Sequence, residues 1–205
     1  MDIQLNLINQ SNDSNNSQIV IFQKNGANDL DDLPVAWRVI ENLGLGDHHP
    51  FVYPLDMTVA AADSLGSYTP QLVAQNGQLF AVTSQSTGAA LGLVGAASSR
   101  DVVEVRNDLR KGSMSACLYK DGHLLALKSA VGPQQLAVFQ FKPVIWIGVA
   151  QEIEAGQVMN SAVQSAINTQ ISLLGIRSAD IVMTGGGPGR DASAYRFALQ
   201  NVTYG

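Results

Sequence analysis

The chain has 205 residues, 46% of them hydrophobic and only 14% charged, with a net charge of −5. Ordinary globular proteins carry about 25% charged residues, so the polar surface here is built from Asn, Gln, Ser, Thr and Gly, and the acidic balance excludes non-specific attraction to nucleic acid or anionic membrane. The lone Cys117 excludes a scaffold stapled by intrachain disulfides.

The start, Met1-Asp2-Ile3-Gln4-Leu5-Asn6, has neither the basic residues nor the apolar run of a signal peptide. No apolar stretch approaches the roughly 18 residues of a membrane helix. The expected address is the cytoplasm, with export without a cleaved signal left open.

Ile3, Leu5 and Leu7 alternate with Gln4, Asn6 and Ile8, the period of a first strand. Residues 9–18 are polar throughout and read as a loop. Ile19 and Ile21 alternate with Val20 and Phe22 in a strand apolar on both faces, and Asn25-Gly26 is a candidate turn. Val35, Trp37 and Val39 share one face of the next strand; Leu55, Met57, Val59 and Ala61 share a face of another.

Asn76-Gly77 and Asp121-Gly122 accept the positive φ angles of two-residue hairpin turns, and apolar strands flank both. Phe139, Phe141 and Val144-Ile145-Trp146-Ile147 predict a core centre around Pro143. Residues 161–173 alternate at period 2 with β-branched residues, which favours a strand, although Met159, Ala162, Val163, Ala166, Ile167, Ile171 and Leu174 also fit a helical stripe. Ile181-Val182-Met183 and Tyr195, Phe197 and Leu199 flank a glycine loop. About twelve strands predict an all-β antiparallel two-sheet sandwich, Greek-key or jelly-roll-like. One domain spans 1–205, with at most one short helix near 158–168.

Few residues offer chemistry. Gly185-Gly186-Gly187-Pro188-Gly189-Arg190 could turn N–H groups and a guanidinium toward an anion, but it lacks the Gly-Lys-Ser/Thr ending of a P-loop and reads first as a hairpin loop. His48 and His49 follow Gly44 and Gly46 in a turn, and adjacent side chains of extended chain point apart. With only His123 as a third histidine, no metal set is expected. Cys117 reads as a small buried hydrophobe, Asp31-Asp32 as solvated surface, and Glu152 and Glu154 as one face of a strand. Trp37 and Trp146 are expected in the core; Tyr53, Tyr68 and Tyr119 are possible stacking platforms for a sugar. No catalytic residue and no cofactor are assigned.

Four segments carry a resemblance: Ser17-Gln18-Ile19-Val20-Ile21-Phe22-Gln23-Lys24-Asn25, Val35-Ala36-Trp37, Lys142-Pro143-Val144-Ile145-Trp146-Ile147-Gly148 and Ala179 through Gly189. With these the whole chain resembles a group of small bacterial β-sandwich proteins of about 200 residues that has no established function. Some members carry a ring-opening dioxygenase label. A non-haem iron site needs two histidines and a carboxylate facing one cavity, and no such spacing occurs here, so the resemblance brings no catalytic residue.

The expectation is a non-enzymatic, structural protein that self-assembles as a homo-oligomer, filament, lattice or inclusion body. Sparse charge weakens the guard on strand edges. Ile3, Leu5 and Leu7, and Tyr195, Phe197 and Leu199, mark the segments expected to meet a neighbour. One alternative is a lectin-like module in which loops 9–18, 44–50 and 185–191, with His48, His49, Gly186, Gly187 and Arg190, meet a glycan. Another is a pore-forming β-protein acting on membranes, suggested by the uncharged alternation of 161–173.

Overall fold

The computed structural model describes residues 2–13, 16–27, 33–86, 88–188, 190 and 192–205. The Asp31-Asp32 pair, and Gly189 of the glycine loop, lie outside them. Among the described residues, sixteen strands and one short helix follow in chain order. The first eight strands are β1 (Ile3–Asn9), β2 (Gln18–Phe22), β3 (Arg38–Ile40), β4 (His48–Tyr53), β5 (Met57–Ala62), β6 (Leu72–Ala74), β7 (Gln78–Gln85) and β8 (Gly88–Ala96). Then come β9 (Val103–Asn107), β10 (Met114–Lys120), β11 (His123–Val131), β12 (Leu136–Phe139), β13 (Val144–Ala150), α1 (Ser161–Ala166), β14 (Thr169–Ser172), β15 (Ile176–Gly186) and β16 (Ser193–Tyr204). The all-β class read from the alternation is the class observed.

Where one sandwich was expected over 1–205, the chain forms two compact units. Unit 1 holds residues 1–24, 33–55 and 143–205; unit 2 holds 25–32 and 56–142. Each contains two four-stranded sheets. In unit 1 these run β16-β15-β1-β4 and β14-β13-β2-β3; in unit 2 they run β8-β7-β9-β12 and β6-β5-β10-β11. Pairing is antiparallel except for one parallel pair per unit, β1 with β15 and β7 with β9.

The two orders are the same order. Replacing β1–β4 by β9–β12, and β13–β16 by β5–β8, converts unit 1 into unit 2 strand for strand and puts the parallel pair in the same place. The chain is therefore two successive halves, each a block of four strands followed by a second block of four. Each unit combines the first kind of block from one half with the second kind from the other. Between blocks the chain passes from one unit to the other in short segments, residues 54–56 after β4 and 140–143 after β12, and within the first block it also leaves unit 1 after Lys24 and is back in it at Leu33.

Side-chain detail repeats with the topology. Asn9 ends β1 and Asn107 ends β9, both fully buried. Asn9 Nδ2 donates to Leu43 O at 2.7 Å and Asn107 Nδ2 to Val131 O at 2.8 Å. Their Oδ1 atoms accept from the backbone N–H two residues on, Ser11 at 2.9 Å and Leu109 at 3.0 Å. Their carbonyls accept from Gly46 and Gln134, each at 2.7 Å and each in the left-handed region. Lys24-Asn25-Gly26 follows β2 as Lys120-Asp121-Gly122 closes β10.

Each unit has its own core. In unit 1, Val20 and Phe22 of β2 meet Ala36, Ile153, Met159 and Ile167. Trp37 and Tyr53 cross edge to face at 5.8 Å, and the Tyr53 hydroxyl donates to Gln23 Oε1 at 3.2 Å. In unit 2, Phe80, Val82, Val103, Val105 and Phe139 from one sheet, and Val59, Cys117, Leu118 and Leu125 from the other, are all buried.

Several local expectations change. Asp121 and Gly122 (φ 53° and 72°) do close the β10–β11 hairpin, with Lys120 opposite His123. Asn76-Gly77 does not close a hairpin, because β6 pairs with β5 and β7 with β8 and β9, in different sheets. Pro143 marks the boundary between units rather than one core centre. Residues 161–173 are not one strand. Asn160 caps α1 by accepting from Val163 N at 2.9 Å, the helix ends after Ala166, and β14 begins at Thr169. Glu152 takes φ 58° in a bend outside any strand.

Candidate functional sites

A sheet has two edges, and their unpaired N–H and C=O groups pair with another chain unless something blunts them. Six of the eight edges are blunted. β3, β6, β12 and β14 have three or four residues, β4 contains Pro50, which has no N–H, and β11 carries Lys128 and stays in register with β10 for only three residues at a stretch, Ala126 to Lys128. The remaining two are β8 and β16, which hold the same position in the two units.

β8 reads Gly-Ala-Ala-Leu-Gly-Leu-Val-Gly-Ala, with no charge and no proline. Ala89, Leu93, Val94, Gly95 and Ala96 are exposed, Leu93 at 55% and Val94 at 51%. Its pairing with β7 is regular from Gly88 to Leu93, and Val94 sits in the one register shift. β16 has twelve residues and one charge, Arg196, and pairs regularly with β15 from Arg196 to Gln200, with three register shifts outside that stretch.

The segments marked from sequence divide. Tyr195, Phe197 and Leu199 lie on the edge strand β16, Tyr195 and Leu199 half-buried but Phe197 a core residue at 7% exposure. Ile3, Leu5 and Leu7 do not reach an edge: β1 is paired on both sides, by β15 and β4, and the three side chains are core residues at 0–4% exposure. The strength of the period-2 pattern came from burial. β8 gives no such signal in the sequence, because its run of small residues lacks the alternation of large apolar and polar side chains.

A second feature is polar. On one face of the β16-β15-β1-β4 sheet, Asp180 Oδ1 accepts from Asn6 Nδ2 at 2.9 Å and Oδ2 from Asn201 Nδ2 at 2.6 Å. Asn6 Nδ2 also lies 3.2 Å from His48 Nδ1, which accepts when it carries no proton. The bonds from Asn201 and then Asn6 hold the Asp180 carboxyl below its ordinary pKa. A shallow cavity of about 230 Å³ lies beside them, lined by Gln4, Asn6, Pro50, Ser178, Asp180 and Asn201. A carboxylate beside carboxamides is a set of acceptors and donors suited to hydroxyl groups.

His48 belongs to this network, and His49 does not. The two are adjacent in β4 and face opposite ways, His49 opposite buried Leu7. Burial, and then the charge of Arg38, lower the His49 pKa. The three loops read as a ligand end do meet at one end of unit 1: Gly46 N donates to Asn9 O at 2.7 Å, and Asn12 N to Gly185 O at 2.7 Å. Tyr195 Oη donates to Asp13 Oδ1 at 2.8 Å. Gly185 and Gly186 serve packing. A Cβ on Gly185 would sit 2.2 Å from Ala194 O, and one on Gly186 would sit 2.6 Å from the Tyr195 ring. Arg190 is exposed at the loop tip.

Of the tyrosines, Tyr53 is buried, Tyr119 half-buried and Tyr68 exposed. Trp37 is core, and Trp146 is half-buried beneath Lys24, whose Nζ lies 3.6 Å from a ring centroid. Among the described residues no group of three His, Cys, Asp or Glu side chains is placed to hold a metal, and no helix is long and apolar enough to cross a membrane. No family model, curated protein or solved structure matches the chain.

Proposed function

We propose that this is a non-enzymatic structural protein that assembles with copies of itself through open sheet edges. The single observation that carries the reading is β8: nine residues at a sheet edge, with no charge, no proline and six Gly or Ala residues among them. Natural sheets ordinarily guard such edges with lysine, proline or a cover. Low overall charge fits, because contacts between copies desolvate few ions. The proposal takes the cytoplasm as the compartment and the bacterial sandwich group as the kin of the chain.

Negative-stain electron microscopy beside light scattering, over a hundredfold range of concentration, tests it. Regular fibres, sheets or crystals at micromolar protein are expected. A monomer at every concentration overturns the proposal.

A second reading, glycan binding, is favoured by the Asp180 network and by the three loops that meet at one end of unit 1. Retention on immobilised glycans, lost in Asp180→Ala, tests it. The pore-forming alternative has lost its motive, since 161–173 is a helix and a strand rather than one alternating strand.

A further inference from the structure

We infer that the contact between copies is heterologous: β8 of one copy pairs with β16 of the next. The inference rests on the self-assembly reading and names the partner surface within it.

Three observations select this pair. The first is topology. Among the described strands, β8, β11 and β16 are the long edges free of proline, and of these the permuted repeat puts β8 and β16 at the same place in two like sheets. One chain therefore offers two edges of one kind, each with a regular stretch, Gly88 to Leu93 and Arg196 to Gln200.

The second is size. β8 is six-ninths Gly and Ala, whereas β16 carries the half-buried Tyr195 and Leu199 and the exposed Tyr204 (72%), its Phe197 being buried in the core of its own unit. A β8·β8 pair sets small residues against small ones and buries little. A β8·β16 pair sets the larger side chains of β16, Leu199 and Gln200 among them, beside the glycine gaps of β8, as larger residues support edge glycines.

The third is charge. A β16·β16 ladder carries two Arg196 guanidiniums on one short pair of strands, while β8·β16 leaves the single Arg196 facing uncharged residues. A contact between two different patches does not saturate at a dimer. It propagates as a filament, or closes only if the rotation per copy allows a ring.

Mixing two full-length variants tests this. Ala89→Lys/Leu93→Lys charges β8 and leaves β16 intact; Ala198→Lys/Gln200→Lys charges β16 and leaves β8 intact. Circular dichroism matching the wild type verifies that each is folded. If a double change unfolds the subunit, Leu93→Lys or Ala198→Lys alone takes its place. In sedimentation velocity each variant alone is expected to be monomeric, and the equimolar mixture to form a 1:1 dimer that grows no further. Dimers of either variant alone would show pairing of like edges and overturn the inference. So would a mixture that stays monomeric while the wild type assembles, which would place the contact elsewhere. A wild type that never assembles overturns the self-assembly reading and this inference together.

Discussion

Asn9 and Asn107, 98 positions apart, are the same structural residue used twice: each ends the strand that takes part in its unit's parallel pair and holds the carbonyl that closes a following turn. Removing either carboxamide leaves buried backbone groups without partners. Asn9→Ala and Asn107→Ala are each expected to cost about 2–4 kcal/mol. The two costs should agree within about 1 kcal/mol, since the bonds lost are alike. Urea unfolding of both variants is the measurement. A cost below about 0.5 kcal/mol at either site contradicts the equivalence.

Glycines 185 and 46 separate strain from collision. Both take positive φ, 90° and 83°, but a Cβ on Gly46 meets nothing within 4 Å, while one on Gly185 runs into the Ala194 carbonyl. Gly46→Ala should cost only the backbone penalty, about 1–2 kcal/mol. Gly185→Ala should cost about 3 kcal/mol or more, because the β15–β16 hairpin must open. Thermal melts of the pair decide it, and equal losses would mean that the hairpin relaxes freely.

Burial of Tyr53 pushes its phenol pKa up to about 12 from an ordinary 10. The folded state thus holds a proton that the unfolded chain releases earlier. The stability linked to this group is complete below pH 10 and is lost as pH rises through about 12, by about 2 kcal/mol. Tyr53→Phe should flatten part of the alkaline fall in urea midpoint between pH 9 and 11.5. Tyr119 and Tyr195, whose pKa values are also raised by burial, account for a remaining slope. An unchanged slope in Tyr53→Phe refutes the assignment.

Cys117 is 1% exposed at the centre of β10, and burial raises its thiol pKa. A protonated, inaccessible thiol reacts slowly, so labelling by a chromogenic disulfide at pH 8 should be at least about a hundredfold slower native than in urea. Fast native labelling would mean that β10 opens locally.

The class was legible because half-buried strands write their burial as alternation, as in Ile3, Leu5 and Leu7, and because Asp121-Gly122 fixes a two-residue reversal. The division into units was not. Apolar residues continue through Phe139, Phe141 and Val144, and nothing local distinguishes a strand that stays in a core from one that leaves it. Asn76-Gly77 shows the same limit: positive φ at Gly77 turns the chain, but sheet membership is decided by β5, β8 and β9. The repeat is nearly silent because edge and core positions accept many apolar residues, leaving little beyond Asn9 with Asn107, and Lys24-Asn25-Gly26 with Lys120-Asp121-Gly122. The Asp180 network joins residues 6, 48, 180 and 201, which only the pairing of β1 with β15, β4 and their neighbours brings together.

The crossed use of blocks also sets a problem of timing for the ribosome. The first 96 residues already contain one block of each kind, yet β1–β4 belong with β13–β16, which are made last. At about 5–20 residues per second, the N-terminal strands wait on the order of 5–20 s for their partners. During that wait β5–β8 offer the same strand order next door, across a linker of residues 54–56. The shared strand order of the two second blocks thus gives the nascent chain a possible wrong partner that the finished fold does not use.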